Sequence, residues 1–286
     1  MEIIDGKVVS EQIKNDLKLK VKKLKQSNIV PKLVIITIGN NTATELYIRN
    51  KKRLFNELEM CVEQKILNND IEINELLRVI DELNNDINVD GILVQSPIPD
   101  KLNINNIFEK ISESKDVDGF NPLNIGKMSL GIDGFAPCTA LGIMQLLKYY
   151  NIDLKGKHAV VVGRSNIVGK PIARMLLEED ATVTICHSKT VELKSYTKTA
   201  DVLIVAVGKE KLIKEDMVKE NVVVIDVGIN FTEEGKIVGD VDYENVKKKC
   251  SYITKVPGGV GPMTVIMLAK NTINSANKRR LGKNNN

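Results

Sequence analysis

The stretch from Val160 to Pro171 reads VVVGRSNIVGKP, and it limits what the chain can fold into more than any other. Three β-branched residues run into Gly163, and an apolar, helix-forming run to Leu177 follows Gly169 and Pro171. Such side chains suit a buried strand, glycine permits a tight turn, and the spacing beyond it suits a helix. A turn of this kind leaves backbone N–H groups unpaired at the positive end of a helix, where a pyrophosphate binds. The strict dinucleotide fingerprint puts glycine at the first, third and sixth positions. Here Ser165 holds the third, Val168 the sixth, and Gly169 comes one residue late.

The same alternation extends along the chain. Before Pro137, apolar periodicity predicts a helix over 10–26 with Ser10 as its N-cap, a strand over 33–38, and a helix from Thr42 to about Glu59. The last of these opens on a capping box, Thr42-Ala-Thr-Glu45. Strands over 61–67 and 91–95 and a helix over 74–85 complete this part. From Lys115 to Pro137, glycine, proline and asparagine dominate, which reads as a long functional loop. The domain junction is placed at Pro137, and Thr139 is expected to cap a helix over 140–150. Beyond it, strands over 159–162, 182–186, 203–207, 222–226 and 252–254 predict a doubly wound parallel sheet, followed by a helix over 263–274 and a frayed polar tail. The fold class is therefore two-domain α/β, with residues 1–137 and 138–262 as the two domains.

A chain of 286 residues has material for two domains, and 43% hydrophobic with 27% charged residues describes a globular protein. No apolar run spans a bilayer and no signal-peptide pattern opens the chain, so a cytoplasmic protein without membrane contact is expected. Cys61, Cys138, Cys186 and Cys250 are scattered, which fits reduced thiols rather than a disulfide frame or zinc site. Only His158 and His187 are present, so no multi-histidine metal site is expected, and proton chemistry falls to Lys, Asp, Glu or Tyr. The net charge of +4 comes from lysines in short helical runs and in the tail, without interleaved aromatics, which reads as solvated helix faces rather than a nucleic-acid surface.

An NAD site usually carries an acid after the second strand, on the ribose 2′-hydroxyl. Here that strand ends in His187-Ser188-Lys189, and Arg164 lies in the glycine turn. A hydroxyl and cations in place of the acid favour the 2′-phosphate of NADP. In the first domain, Tyr47 and Lys51 are four residues apart on one helix, so they share a face and pair a flat ring with a proton carrier. Gln95 closes an apolar strand, where a buried amide needs partners, and one pointing at Lys51 would orient its amine. Asp118 lies in the irregular loop, where a turn-forming role is the alternative.

These residues fall into a longer ordered series: Tyr47-xxx-Lys51, Gly91-Ile-Leu-Val-Gln95, Lys115-Asp-Val-Asp-Gly-Phe120, Pro137-Cys-Thr139, the turn over 161–171, Val224-Ile-Asp-Val-Gly-Ile-Asn230 and Val256-Pro-Gly-Gly-Val-Gly-Pro-Met-Thr264. In this the chain resembles the bifunctional methylenetetrahydrofolate dehydrogenase/methenyltetrahydrofolate cyclohydrolase family, from Ile4-Asp-Gly6 to the last helix. The resemblance implies NADP-dependent oxidation of 5,10-methylenetetrahydrofolate to the methenyl form, then hydrolysis to 10-formyltetrahydrofolate. It implies Lys51 as the catalytic lysine, Gln95 as its partner, Tyr47 beneath the folate ring system and Asp118 on the pterin edge. Gly163, Arg164, Ser165, Ser188 and Ile229 fall at NADP-binding positions. It also implies a homodimer, a last helix (263–286) packed back on the first domain, and one crevice shared by lysine and nicotinamide. Thr44, Ser96, Asn121, Ala140 and Lys255 depart from the commonest family pattern, and none is a named catalytic group. A Tyr-xxx-Lys pair also marks short-chain dehydrogenases, but there it follows the glycine turn in the same domain, whereas here it precedes it. A cofactor-sensing module would not need Lys51, Gln95 and Asp118 together.

Overall fold

The computed structural model describes residues 1–39 and 42–282, with the side chains of 42–44 and 46 outside the description. In chain order it has β1 (Glu2–Ile4), α1 (Gly6–Gln26), β2 (Lys32–Ile38), α2 (Thr42–Glu57), β3 (Cys61–Leu67), α3 (Ile73–Asn85), β4 (Gly91–Val94), α4 (Ile104–Lys110), α5 (Pro122–Ser129) and α6 (Cys138–Tyr149). There follow β5 (His158–Val162), α7 (Gly169–Glu178), β6 (Thr182–Cys186), α8 (Leu193–Thr197), β7 (Val202–Val205), β8 (Val222–Asp226), β9 (Asn230–Phe231), β10 (Ile237–Val238), α9 (Tyr243–Val246), β11 (Cys250–Thr254) and α10 (Val260–Ala276). The capping box of α2 falls on side chains outside the described residues.

The chain divides into two compact units, Gln12–Cys138 with Val265–Asn286, and Met1–Glu11 with Thr139–Thr264. The first eleven residues therefore group with the second half, not with the expected 1–137 domain. The reason is β1, a three-residue strand too short to show a pattern, which pairs in parallel with β11 through Glu2–Tyr252, Ile3–Ile253 and Ile4–Thr254.

In the unit with 139–264, six parallel strands lie in the order β1-β11-β8-β7-β5-β6. β7 and β8 are buried throughout, and Val160, Val162, Leu203, Val205, Val222, Val224 and Ile253 form the centre of one core cluster. Valine and isoleucine on both faces are what a parallel sheet covered by helices requires, and each fully buried aliphatic side chain contributes roughly 1.5–3 kcal/mol. The chain leaves β5 towards β6 on one side and reaches β7 on the other. This makes the carboxyl ends of β5 and β7 the topological switch point.

In the other unit, three parallel strands lie in the order β3-β2-β4. Val34, Ile36, Leu76, Ile80, Ile92 and Ile107 form its central cluster. The segment 115–137 is not a plain loop. It contains α5, with Pro122 in its first turn and Asn121 as N-cap, whose side chain accepts from Leu123 N–H at 2.8 Å. The Gly, Pro and Asn that suggested a loop are here the start signals of a short helix.

Two further caps differ from expectation. α1 begins at Gly6, and Asp5 Oδ1, not Ser10, accepts from Lys7 N–H at 2.9 Å; Ser10 Oγ bonds back to Lys7 O. α6 begins one residue before Thr139, whose hydroxyl lies 3.2 Å from that of Thr264. Of the departures from the family pattern, Lys255 forms an ion pair with Asp5 at 3.1 Å.

The C-terminal segment is anchored, not frayed, through residue 281. From 265 onward it belongs with residues 12–138. Asn271 Nδ2 donates to Val117 O at 2.9 Å, and Ser275 Oγ lies 2.6 Å from Asp90 O. A π-helical turn, Asn277–Leu281, then brings Arg279 and Arg280 onto the fully buried Asp90 carboxylate at 3.1 and 2.7 Å.

Candidate active site and cofactor turn

In the unit built on residues 12–138, α2 carries Tyr47 and Lys51 one turn apart on the same face. β4 ends at Val94, so Gln95 is the first residue beyond the strand, and its amide is available to side chains. Its Oε1 accepts from Lys51 Nζ at 2.5 Å, while its Nε2 donates to Ser96 O at 2.9 Å. Both ends of the amide are thus engaged, and the lysine is aimed by a neutral acceptor that does not fix its charge.

Burial lowers the Lys51 pKa from its ordinary 10.5, with the charge of Asp118 opposing the shift. Burial raises Asp118 above its ordinary value, and the Lys51 charge and a hydrogen bond from the Cys138 thiol offset part of this. The same burial, with Asp118 beside it, holds the Cys138 thiol well above 9.0, so it stays protonated as a donor. Burial also raises Tyr47, which keeps its phenol neutral. The result is a lysine whose neutral form is accessible, next to one carboxylate.

The loop that carries Asp118 is fixed by its neighbours, which the sequence reading left without roles. Lys115 is buried, and its ammonium donates to the carbonyls of Leu83, Asn84 and Asp86 at 2.8, 2.8 and 2.6 Å, closing the C-terminus of α3. Asp116 accepts from the backbone N–H of Phe120 and Asn121 and from Asn124 Nδ2. Its carboxyl is pushed up to about 6 by burial. Two of the three charged residues in Lys115-Asp-Val-Asp118 thus secure the backbone, and the third is presented to Lys51. Two charges flanking a valine in a loop were the available signal for this.

The second set of expected residues lies at the carboxyl ends of the six-stranded sheet. Gly163 leaves β5 with φ +130°, and a Cβ there would lie 2.3 Å from Ala206 O. A Cβ on Gly169 would lie 2.1 Å from Gly163 O, so the late glycine is the one that lets α7 close on the turn. Gly169→Ala is expected to destabilise the protein by about 1–3 kcal/mol through overpacking, read by urea unfolding. Ser165 corrects one expectation: its Oγ accepts from Val168 and Gly169 N–H at 3.2 and 3.3 Å, so two of the amides expected to be unpaired are capped. Arg164, Ser188 and Ile229 are exposed, and no acid occurs at residues 187–190, after β6. No helix is long and apolar enough to cross a membrane, among the described residues.

Two family profiles match the chain: the tetrahydrofolate dehydrogenase/cyclohydrolase catalytic domain over residues 4–118, and the NAD(P)-binding domain of the same family over 137–280. The bifunctional protein FolD of Campylobacter jejuni is 53% identical over 280 residues, covering 98% of this chain and 99% of its own. A crystal structure of the C. jejuni bifunctional enzyme FolD superposes with a TM-score of 0.96 at 53% identity, over 98% of this chain and 99% of that one. The Trypanosoma brucei methylenetetrahydrofolate dehydrogenase-cyclohydrolase, solved with NADP cofactor and inhibitor, gives a TM-score of 0.92 at 32% identity, over 96% and 97% of the two chains. With both of its profiles matched and relatives half identical along nearly its whole length, this chain belongs to the tetrahydrofolate dehydrogenase/cyclohydrolase family.

Proposed function

We propose that this chain is a bifunctional one-carbon enzyme. It oxidises 5,10-methylenetetrahydrofolate to the 5,10-methenyl compound with NADP, then hydrolyses that compound to 10-formyltetrahydrofolate. The observation that carries this reading is Lys51, lowered in pKa by burial, held by Gln95 and balanced by Asp118, in a chain of this family. The reading includes a cytoplasmic homodimer, as the family resemblance implies.

The role of each residue follows from its chemistry. Tyr47 supplies a flat face for the pterin ring system, and Asp118 accepts hydrogen bonds from the pterin edge. In the hydrolytic step, water adds to the cationic methenyl carbon, and Lys51 Nζ takes a proton as the C–O bond forms. Lys51 returns that proton to N5 as the C–N5 bond breaks, and the hydroxyl proton passes to solvent, so one proton is released overall. Gln95 keeps the amine aimed through both transfers, because an amide oxygen accepts from the neutral and the charged forms alike.

Bound NADP supplies the hydride acceptor for the oxidative step. The residues present fit it. Gly163 and Gly169 allow a backbone approach that any Cβ would block, and exposed Arg164 with Ser188 and Lys189 offers cations and a hydroxyl where an NAD site carries an acid. Positioning the reacting carbon is the main demand of hydride transfer, and these residues serve it by fixing the pyrophosphate and the 2′-phosphate.

The test is a steady-state absorbance assay with methylenetetrahydrofolate and each dinucleotide. NADP is expected to give a kcat/KM at least about tenfold above NAD, which matches the ~1.4 kcal/mol that a charge-assisted contact supplies. Equal or better turnover with NAD overturns the cofactor assignment, and no reduction of either overturns the dehydrogenase reading.

A further inference from the structure

Two carboxylates in the unit with the six-stranded sheet take no part in the chemistry above. Asp226 is the last residue of β8 and Asp240 lies just beyond β10; both are buried, at 3% and 0% exposure. Among the described residues, neither forms an ion pair. Asp240 Oδ2 accepts from Val207 and Gly208 N–H at 2.7 and 3.0 Å, and its Oδ1 from Lys209 N–H and Asn230 Nδ2 at 2.8 and 2.9 Å. Asp226 Oδ1 accepts from Gly228 and Asp240 N–H at 2.9 and 3.0 Å, and its Oδ2 from Val241 N–H at 3.0 Å. All seven donors are N–H groups, and every carboxylate oxygen is occupied.

Five of these donors, on Val207, Gly208, Lys209, Gly228 and Asn230, belong to two loops; the other two are the backbone N–H groups of Asp240 and Val241. Residues 206–209 follow β7 and residues 227–230 follow β8, both at the carboxyl edge where ligands bind in a parallel sheet. The first loop also abuts the glycine turn: Ala206 N–H donates to Val162 O at 2.8 Å, and Ala206 O stands where a Gly163 Cβ would be. Each loop exposes one large aliphatic side chain at its sheet edge, Val207 at 36% and Ile229 at 42%. An aliphatic residue left in water at the mouth of a buried sheet is suited to covering a flat ring.

We infer that Asp240, braced by Asp226, is a positioning residue for the dinucleotide: it ties the loops after β7 and β8 together so that Val207 and Ile229 form a fixed apolar wall beside the Gly163 turn. Three consecutive backbone N–H groups converge on one carboxylate, and a fourth donor comes from the residue after Ile229. The loops are therefore set before the cofactor arrives, and binding does not have to order them. This inference rests on the reading that NADP binds at this edge.

The test uses the full chain with Asp240→Asn and, separately, Asn230→Ala. An amide at 240 turns an NH2 towards two N–H donors whichever way it is placed, so the convergence is broken with little change of volume. NADP affinity is measured by calorimetric titration. Hydrolysis of the methenyl compound without added dinucleotide is measured in parallel. Asp240→Asn is expected to raise the NADP Kd by about tenfold or more, while hydrolysis falls by less than about threefold. Asn230→Ala, which leaves the three backbone donors paired, is expected to raise the Kd by about threefold. An NADP Kd within about twofold of wild type for Asp240→Asn overturns the inference, as does a parallel loss of binding and hydrolysis, which marks a merely structural role. Should Asp240→Asn fail to fold, an unchanged Kd in Asn230→Ala overturns it instead. If the wild-type chain itself does not bind NADP, it is the cofactor reading that fails.

Discussion

Replacing Lys51 by methionine is expected to lower the rate of methenyltetrahydrofolate hydrolysis by about 10²–10⁴-fold, the usual contribution of a positioned general acid–base. Methionine keeps much of the length and the apolar stem of lysine, so packing along α2 is largely retained and the lost group is the amine itself. NADP affinity is expected to stay within about twofold, because the residues proposed to hold the dinucleotide belong to the other compact unit. Because burial lowers the Lys51 pKa, the neutral amine is more abundant at a given pH than it would be on an exposed lysine. The rate of hydrolysis should therefore rise with pH through a midpoint below 10.5, and the variant should lose that rise. Absorbance of the methenyl compound, followed from neutral to alkaline pH and corrected for the uncatalysed reaction, measures both effects. Hydrolysis by the variant at near wild-type rate would contradict the assignment.

The second large effect is on stability. Asp90 is fully buried and accepts from Lys32 N–H at 3.0 Å, from Arg279 Nη1 at 3.1 Å, and from Arg280 Nε and Nη2 at 2.9 and 2.7 Å. Asp90→Ala leaves two arginines without their counter-charge, held only by the Val89 and Asn88 carbonyls, and the Lys32 N–H without its acceptor. Breaking a buried ion pair from one side costs about 3–5 kcal/mol, a large share of the ~5–15 kcal/mol that holds a typical protein folded. Urea denaturation should show this loss, and hydrogen exchange should show early opening of residues 265–282. A change below about 1 kcal/mol would mean that the arginines find water at no net cost.

Much of the fold was legible because it is written in local pattern. Apolar, β-branched runs such as residues 33–38 give buried strands whatever the neighbours are, and β2, β3, β6 and β8 lie within a residue of their expected bounds. Lys51 and Gln95 were legible for a related reason: a polar amide closing an apolar strand is anomalous, and it meets the amine that the helix spacing suggested. Pairings across long sequence distances leave no such trace. Asp90 meets Arg280 across 190 positions, so neither residue's own surroundings announce the anchor, and the tail reads as frayed. Asp240 is silent in the sequence because its four donors are mostly backbone N–H groups, which carry no residue signature. Lys115 and Asp116 read as loop residues for the same reason. β1 escapes notice because three residues cannot display a period, and α5 because its cap and first proline are also turn signals.

In the proposed hydrolysis the Lys51 amine itself carries the proton. The most direct test of this role is an NMR titration of ε-labelled lysines in the full-length protein, with Lys51 assigned by its absence in Lys51→Met, set against the pH profile of hydrolysis. Lys51 is expected to titrate below 10.5, with a midpoint that coincides with that of the rate. A Lys51 resonance titrating at or above 10.5, or a rate midpoint that stays in place when the resonance is lost, would contradict this role.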